Sequence, residues 1–292
     1  MISDDYELID SGHGAKLERF GPVTLDRACG QAIWPPRAPR SVWRQATAAF
    51  DRKDGNRWLR RDQLPDAWQV TIEGIHFRLS GTDFGHLGVF PEQRRNWRWV
   101  TDMLMAEQAA PGAIRVLNVF AYSGGMTLAA ARTGAAVCHV DASRGMVEWA
   151  RENAALNTLA EAPVRWIVDD VHKFMERENR RERHYDAIIL DPPSFGRGTK
   201  GEIYKLETDL PATLAKCRAL LSSSPLFVLL SCHTPQVTPQ SLANMLAASM
   251  PEHASRTIDF GEMLLEGAAG VPPVPNGAWA CWRRGDLPGR VS

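Results

Sequence analysis

Apolar and polar positions along this chain follow two different rhythms, and the change between them falls near residue 90. In the first part, Tyr6-Glu7-Leu8-Ile9-Asp10 and Ala15-Lys16-Leu17-Glu18-Arg19-Phe20 alternate about Ser11-Gly12-His13-Gly14, which predicts a β-hairpin. Val23 to Arg27 adds a third strand, and Trp34-Pro35-Pro36 breaks the pattern. Alternation returns at Trp68-Gln69-Val70-Thr71-Ile72 and Ile75-His76-Phe77-Arg78-Leu79, around Glu73-Gly74. Residues 1–90 therefore read as a small, β-rich and mostly antiparallel domain.

The second rhythm begins at Glu92. Trp97, Val100, Thr101, Leu104 and Met105 fall at helical spacing as far as about Ala109, and Pro111-Gly112 ends the helix. Short apolar runs then alternate with helical stretches. Strands are expected at 115–120, 136–140, 164–168, 186–190 and 226–231. Helices are expected from near Met126, from the Ser143 cap through about Asn157, over 171–178 and 206–221, and from near Pro239. Two closing strands follow at 256–260 and 278–282, and the stretch after Asp191 reads as a loop. Such strand–helix repetition implies an α/β fold, a doubly wound and mostly parallel sheet covered on both faces, over residues 91–292.

The run Arg115-Val116-Leu117-Asn118-Val119-Phe120-Ala121-Tyr122-Ser123-Gly124-Gly125 is a buried strand entering a glycine turn and then a helix. Glycine lets the backbone approach a ligand, and the helix start supplies free N–H groups. Asp141 ends the next strand, and Asp191 ends another and opens Asp191-Pro192-Pro193-Ser194-Phe195. In an open α/β sheet ligands bind at this carboxyl edge. The turn lacks the G-x-G-x-x-G spacing of a dinucleotide site, so the pyrophosphate cradle is missing. A strand-end carboxylate at Asp141 can still take both hydroxyls of a ribose. An adenosine without phosphates fits, and S-adenosylmethionine is such a ligand. Of Asp169-Asp170 after the third strand, the first is expected to cap the following helix and the second to accept from the adenine amine. The two prolines stiffen the Asp191 loop and remove two N–H donors, leaving carbonyls and Asp191 for a polar substrate edge, with Phe195 as a face for a planar ring.

These motifs resemble the class I S-adenosylmethionine-dependent methyltransferases of the ribosomal RNA large-subunit methyltransferase family, which is also Rossmann-like in fold. The match includes Val140-Asp141, Asp170-Val171 and Phe90-Pro91-Glu92-Gln93-Arg94, where Pro and Glu replace residues of the family's F-L-D-Q-R run. The resemblance implies that Phe90, Gln93, Phe120, Tyr122, Gly124, Asp141, Asp170 and Asp191 line the cofactor pocket. It implies an RNA substrate, ribosomal RNA, methylated at a base. The family includes cytosine-C5 enzymes, which carry a similar Ser-Cys-Ser where this chain has Ser231-Cys232-His233. Cys232 would then be the nucleophile that attacks C6, beside Asp191 as the second catalytic residue. The competing reading of Cys232 is a small buried residue at a strand end. C5 of cytosine in ribosomal RNA is preferred. The alternatives are methylation of an exocyclic amine or small molecule at the Asp-Pro-Pro loop, or a non-catalytic binding module on the same fold.

Composition narrows the setting. Of 292 residues, 44% are hydrophobic and 23% charged, and 34 basic residues balance 34 acidic ones. A uniformly basic nucleic-acid binder is excluded, but a local basic surface is not. Arg37, Arg40, Arg44, Arg52, Lys53, Arg57, Arg60 and Arg61 face only Asp51 and Asp54, with Trp43 and Trp58 interleaved. This stretch reads either as solvated surface or as a phosphate-contacting face. The five cysteines are odd in number, widely spaced and free of CxxC, which argues against disulfides and zinc and for a reducing cytoplasm. The histidines fit no metal spacing. Met1 to Asp5 carries no signal-peptide core, and the longest apolar run, Leu226 to Leu230, is too short to span a bilayer.

Overall fold

The alternating stretches of the first part do form strands. The structure, a computed structural model, describes residues 4–52, 55–107, 110–197, 201, 203–251 and 256–285. Met1 to Ser3, Lys53, Asp54 and the expected helix end at Ala109 lie outside the described residues. The chain divides into two compact units, Met1–Arg94 with Met263–Asn276, and Arg95–Glu262 with Gly277–Ser292. The return of the chain to the first unit over Met263–Asn276 is not encoded in any local pattern.

In the first unit, β1 (Tyr6–Gly12), β2 (Ala15–Phe20), β3 (Val23–Ala28), β4 (Ala48–Asp51) and β5 (Arg57–Leu59) form a five-stranded sheet in that order. A single helical turn, α1 (Arg40–Trp43), precedes β4. Strands β1 to β3 are antiparallel, while β4 runs parallel to β3. Strands β6 (Trp68–Ile72) and β7 (Ile75–Leu79) form the separate hairpin expected around Glu73-Gly74. Alternation is not clean in β2, where Lys16, Leu17 and Glu18 are all buried. The charges enter as a matched set: Glu18 pairs with Lys16 (3.2 Å) and Arg27 (2.6 Å) and accepts from the Tyr6 hydroxyl (3.0 Å). Burial alone would push the Glu18 carboxyl up, yet Arg27 and Lys16 hold it below the usual range. Buried Asp10 accepts from the Arg37 and Ala38 N–H groups (3.2 and 2.8 Å) and from the Trp43 indole (3.0 Å). One carboxylate thus pins the start of the basic stretch.

In the second part the order is α2 (Arg94–Ala106), β8 (Arg115–Val119), α3 (Gly125–Ala131), β9 (Ala136–Asp141), α4 (Arg144–Leu156), β10 (Val164–Val168) and α5 (Val171–Arg180). Then come β11 (Ala187–Leu190), β12 (Phe195–Arg197), β13 (Ile203–Lys205), α6 (Leu206–Ala219), β14 (Phe227–Cys232), α7 (Pro239–Ser249), β15 (Arg256–Leu265) and β16 (Val274–Arg284). The sheet order is β10-β9-β8-β11-β14-β16-β15. The first five strands of that order are parallel, and β16 is antiparallel to β14. Every residue of β11 and β14 is buried, as interior strands of a two-sided sheet must be. From β8 the chain builds outward first through β9 and β10, then on the other side through β11 and β14. The topological switch point therefore lies between β8 and β11, where such sheets bind ligands. Among the described residues no helix is long and apolar enough to cross a membrane.

Candidate active site

The turn after β8 is held in an uncommon backbone shape. Phe120 (φ 56°), Tyr122 (φ 50°) and Gly124 (φ 93°) all adopt positive φ. For a bulky aromatic residue that conformation is strained, at a cost of order 1–3 kcal/mol each, and persists only where the surroundings impose it. Here Ala121 N–H donates to the Val140 carbonyl (3.1 Å) and Gly124 N–H to the Ala121 carbonyl (3.1 Å). Buried Asn153 on α4 donates to the Ser123 carbonyl (2.9 Å). The two glycines are also required by packing. A Cβ on Gly124 would stand 3.0 Å from the Ala150 Cβ, and one on Gly125 would stand 2.9 Å from the Trp97 ring.

Asp141, the last residue of β9, closes the turn. Its Oδ2 accepts from Tyr122 N–H (2.9 Å) and its Oδ1 from Ser143 N–H (2.8 Å). Burial pushes the carboxyl above the usual range, and the two N–H donors offset part of that rise. A carboxylate offers about four lone-pair positions, so a second acceptor position remains on each oxygen for a ribose hydroxyl. The strained turn and this double acceptor fit the adenosine end of S-adenosylmethionine.

The two aspartates after β10 exchange one expected role. Asp170 is the residue that caps α5, its Oδ1 accepting from Lys173 N–H at 3.0 Å. An N-cap must immediately precede the first helical residue, and that residue is Val171. Asp169 instead accepts from Asp170 N–H (2.9 Å) and pairs with Arg177. The cap uses only one oxygen of Asp170.

Asp191 stands at the end of β11, across the switch point. Its Oδ1 is 3.4 Å from Nδ1 of His233, and both side chains are 28% exposed. His233 follows β14, and the register Leu190↔Leu230 brings the two strand ends together. The next residues of the loop are tied to the same segment, Ser194 Oγ lying 2.7 Å from Thr234 Oγ1. Phe195 is 52% exposed. Beyond it the chain forms the hairpin β12–β13, with Gly196 opposite Tyr204. The Tyr204 ring packs on Phe120 with centroids 5.0 Å apart and edge-on to His172 at 5.9 Å. This hairpin links the Asp191 loop to the turn after β8.

Cys232 is the last residue of β14. Its side chain has no exposed surface and lies in the core with Leu190, Val228 and Leu230. Its Sγ accepts from Thr234 N–H (3.3 Å), and burial pushes the thiol up. A thiolate is the attacking form, and apolar burial disfavours it.

Thus Phe120, Tyr122, Gly124, Asp141, Asp170 and Asp191 all gather at the carboxyl ends of β8 to β11 in the second unit. Phe90 and Gln93 belong to the first unit. There Phe90 precedes a buried 3-10 turn, Pro91–Gln93, and accepts from Gln93 N–H at 3.0 Å. Two site residues escaped the sequence reading of the site. His233 was visible only as the neighbour of Cys232, and Tyr204 carries no local signal.

Known proteins share this fold. A crystal structure of an S-adenosylmethionine-dependent methyltransferase from Agrobacterium tumefaciens superposes with a TM-score of 0.89 at 36% identity, covering 96% of this chain and 91% of that one. Ribosomal RNA large subunit methyltransferase K/L of Syntrophotalea carbinolica is 33% identical over 145 residues, 49% of this chain and 19% of that protein. Ribosomal RNA large subunit methyltransferase I of Shigella flexneri is 28% identical over 186 residues, 62% of this chain and 44% of that protein. The chain thus spans less than half the length of these two curated relatives. The family model for S-adenosylmethionine-dependent methyltransferases matches residues 23–272, and the chain belongs to that family.

Proposed function

We propose that this chain methylates a base of ribosomal RNA in the cytoplasm, with a ring or exocyclic nitrogen as acceptor. The observation that carries the reading is Asp191 at the switch point, 3.4 Å from His233 and followed by Pro192, Pro193 and the exposed ring of Phe195. The relatives named for ribosomal RNA supply the substrate class.

S-adenosylmethionine supplies a methyl group already activated on a sulfonium, whose sulfur keeps the bonding electrons. The protein's work is alignment and proton handling. Asp141 takes the ribose hydroxyls, Asp170 the adenine amine, and Phe120, Tyr122 and Gly124 shape the turn around the cofactor. The family motif assigns Phe90 and Gln93 to the cofactor as well. Phe195 stacks on the unstacked base, and Asp191 accepts from an N–H of its edge. As the nitrogen gains the methyl carbon it sheds a proton. His233, oriented through Nδ1 by Asp191, takes that proton on Nε2.

The second reading is cytosine C5, with Cys232 attacking C6. The Ser-Cys motif favours it, but the buried, raised thiol weighs against it. Two variants separate the readings when assayed with labelled cofactor on ribosomal RNA. His233→Gln should lower kcat about 100-fold with cofactor affinity intact. Cys232→Ala should stay within a few-fold of the parent. A dead Cys232→Ala enzyme, with a covalent adduct trapped on RNA carrying 5-fluorocytosine, would establish the C5 route instead.

A further inference from the structure

The first unit holds one aromatic ring out in water, at the tip of a turn constructed to keep it there. Phe84 is 74% exposed. Around it Thr82 N–H donates to the His86 carbonyl (2.9 Å) and Gly85 N–H to the Thr82 carbonyl (3.0 Å). The Thr82 hydroxyl donates to the same His86 carbonyl (2.9 Å) and accepts from His86 N–H (3.1 Å). The sheet then clamps the turn from outside. Trp58 donates its indole N–H to the Thr82 carbonyl (2.7 Å), and Arg27 donates to the Gly85 carbonyl (3.2 Å). Arg61 donates to the Gly81 carbonyl (3.1 Å) and pairs with Asp83 (2.6 Å). Gly85 has φ +78°, and a Cβ there would come within 2.5 Å of the Phe50 ring. A turn this constrained fixes where Phe84 points, yet it forgoes the gain of burying the ring.

The ring's neighbours say what covers it. β5 is the outer strand of its sheet, and it presents Arg57 and Leu59 to solvent with Trp58 turned half inward. Arg44, Arg60 and Arg61 are exposed as well, and Arg60 donates to the Arg44 carbonyl at 3.4 Å. Over residues 37–61 there are eight basic side chains and two acidic ones, in a chain whose total charge is zero. A second copy of this chain would bring the same basic strip against itself, which repulsion opposes. Single-stranded nucleic acid meets both features, phosphates for the arginines and a base face for the ring. We infer that the Phe84 turn and the adjoining β5 edge bind a single-stranded segment of the RNA substrate, with a base stacked on Phe84 and phosphates on Arg44, Arg57, Arg60 and Arg61. The inference rests on the RNA reading above.

The test is binding of the full chain to a fluorescent single-stranded RNA oligonucleotide and to its duplex over a range of salt concentrations. Phe84→Ala should weaken single-strand binding about tenfold with the salt slope unchanged, and Phe84→Trp should restore it. Arg44→Glu with Arg60→Glu should flatten the log-affinity versus log-salt slope by about one or more. Duplex affinity should not respond to Phe84→Ala. RNA binding that is intact and unmoved by Phe84→Ala would overturn this surface alone. So would a self-associated parent protein that Phe84→Ala renders monomeric. A chain that binds no RNA at all would remove the substrate reading, and this surface with it.

Discussion

Asp141 does two things with one carboxylate. Its oxygens hold Tyr122 and Ser143 N–H groups, which keeps Tyr122 in its strained conformation, and in the proposed function the same oxygens take the ribose hydroxyls. Removing it therefore loses both the ribose contact and the order of the turn. Asp141→Ala should weaken S-adenosylmethionine binding by about 1.5–3 kcal/mol, roughly tenfold to 150-fold, by calorimetry on the folded variant. Unchanged affinity would mean that the carboxylate is only a turn residue. His233 gives a residue-scale signature of another kind. In His233→Gln kcat should fall while S-adenosylmethionine affinity by calorimetry stays that of the parent, a split that mere loss of packing would not produce.

Element by element, legibility in the sequence followed burial and length. β8, β9, β11 and β14 are readable because interior parallel strands are near-continuous apolar runs, interrupted here only by single polar residues such as Asn118 and His139. Strands β4, β5, β12 and β13 are three or four residues long, too short to show a period. β15 and β16 extend well past their apolar centres. The cap of α5 falls on Asp170, one residue past the expected Asp169, because helix boundaries are the least sharply encoded positions. The Asp191–His233 pair depends on which strands are neighbours, and the burial of Cys232 depends on α6 and α7 covering its strand. Neither is a local property of the chain.

The layer beneath the turn offers a stability test at this scale. Asn118 on β8 donates to the Thr127 hydroxyl on α3 (2.9 Å), which lies 2.9 Å from Nδ1 of His139 on β9. His139 has no exposed surface, and burial lowers its pKa to about 3. Below about pH 6.5 an unfolded histidine binds a proton that the folded one refuses, so stability is lost as pH falls from there toward 3. The contribution is about 1.4 kcal/mol per pH unit for one proton. His139→Gln should therefore show a shallower loss of stability than the parent, by about one proton, in urea unfolding followed from pH 7 to pH 4. Parallel curves would show that His139 is charged in the fold.

Across the whole molecule, neutrality conceals a division of labour. The basic excess of residues 37–61 is balanced by acidic residues elsewhere. Asp141, Asp170 and Asp191 follow strands of the sheet whose order sets the switch point, and the exposed aromatics Phe84 and Phe195 each stand in a segment braced by hydrogen bonds. Methyl transfer to a nitrogen of a ribosomal RNA base is read out by incubating ribosomal RNA with labelled S-adenosylmethionine and the chain, then digesting the RNA and identifying the labelled nucleoside. One labelled nucleoside is expected, methylated on a ring or exocyclic nitrogen, and it should be absent with His233→Gln. Label in 5-methylcytosine would contradict the nitrogen acceptor, and RNA without label, from a protein that binds the cofactor, would contradict the substrate.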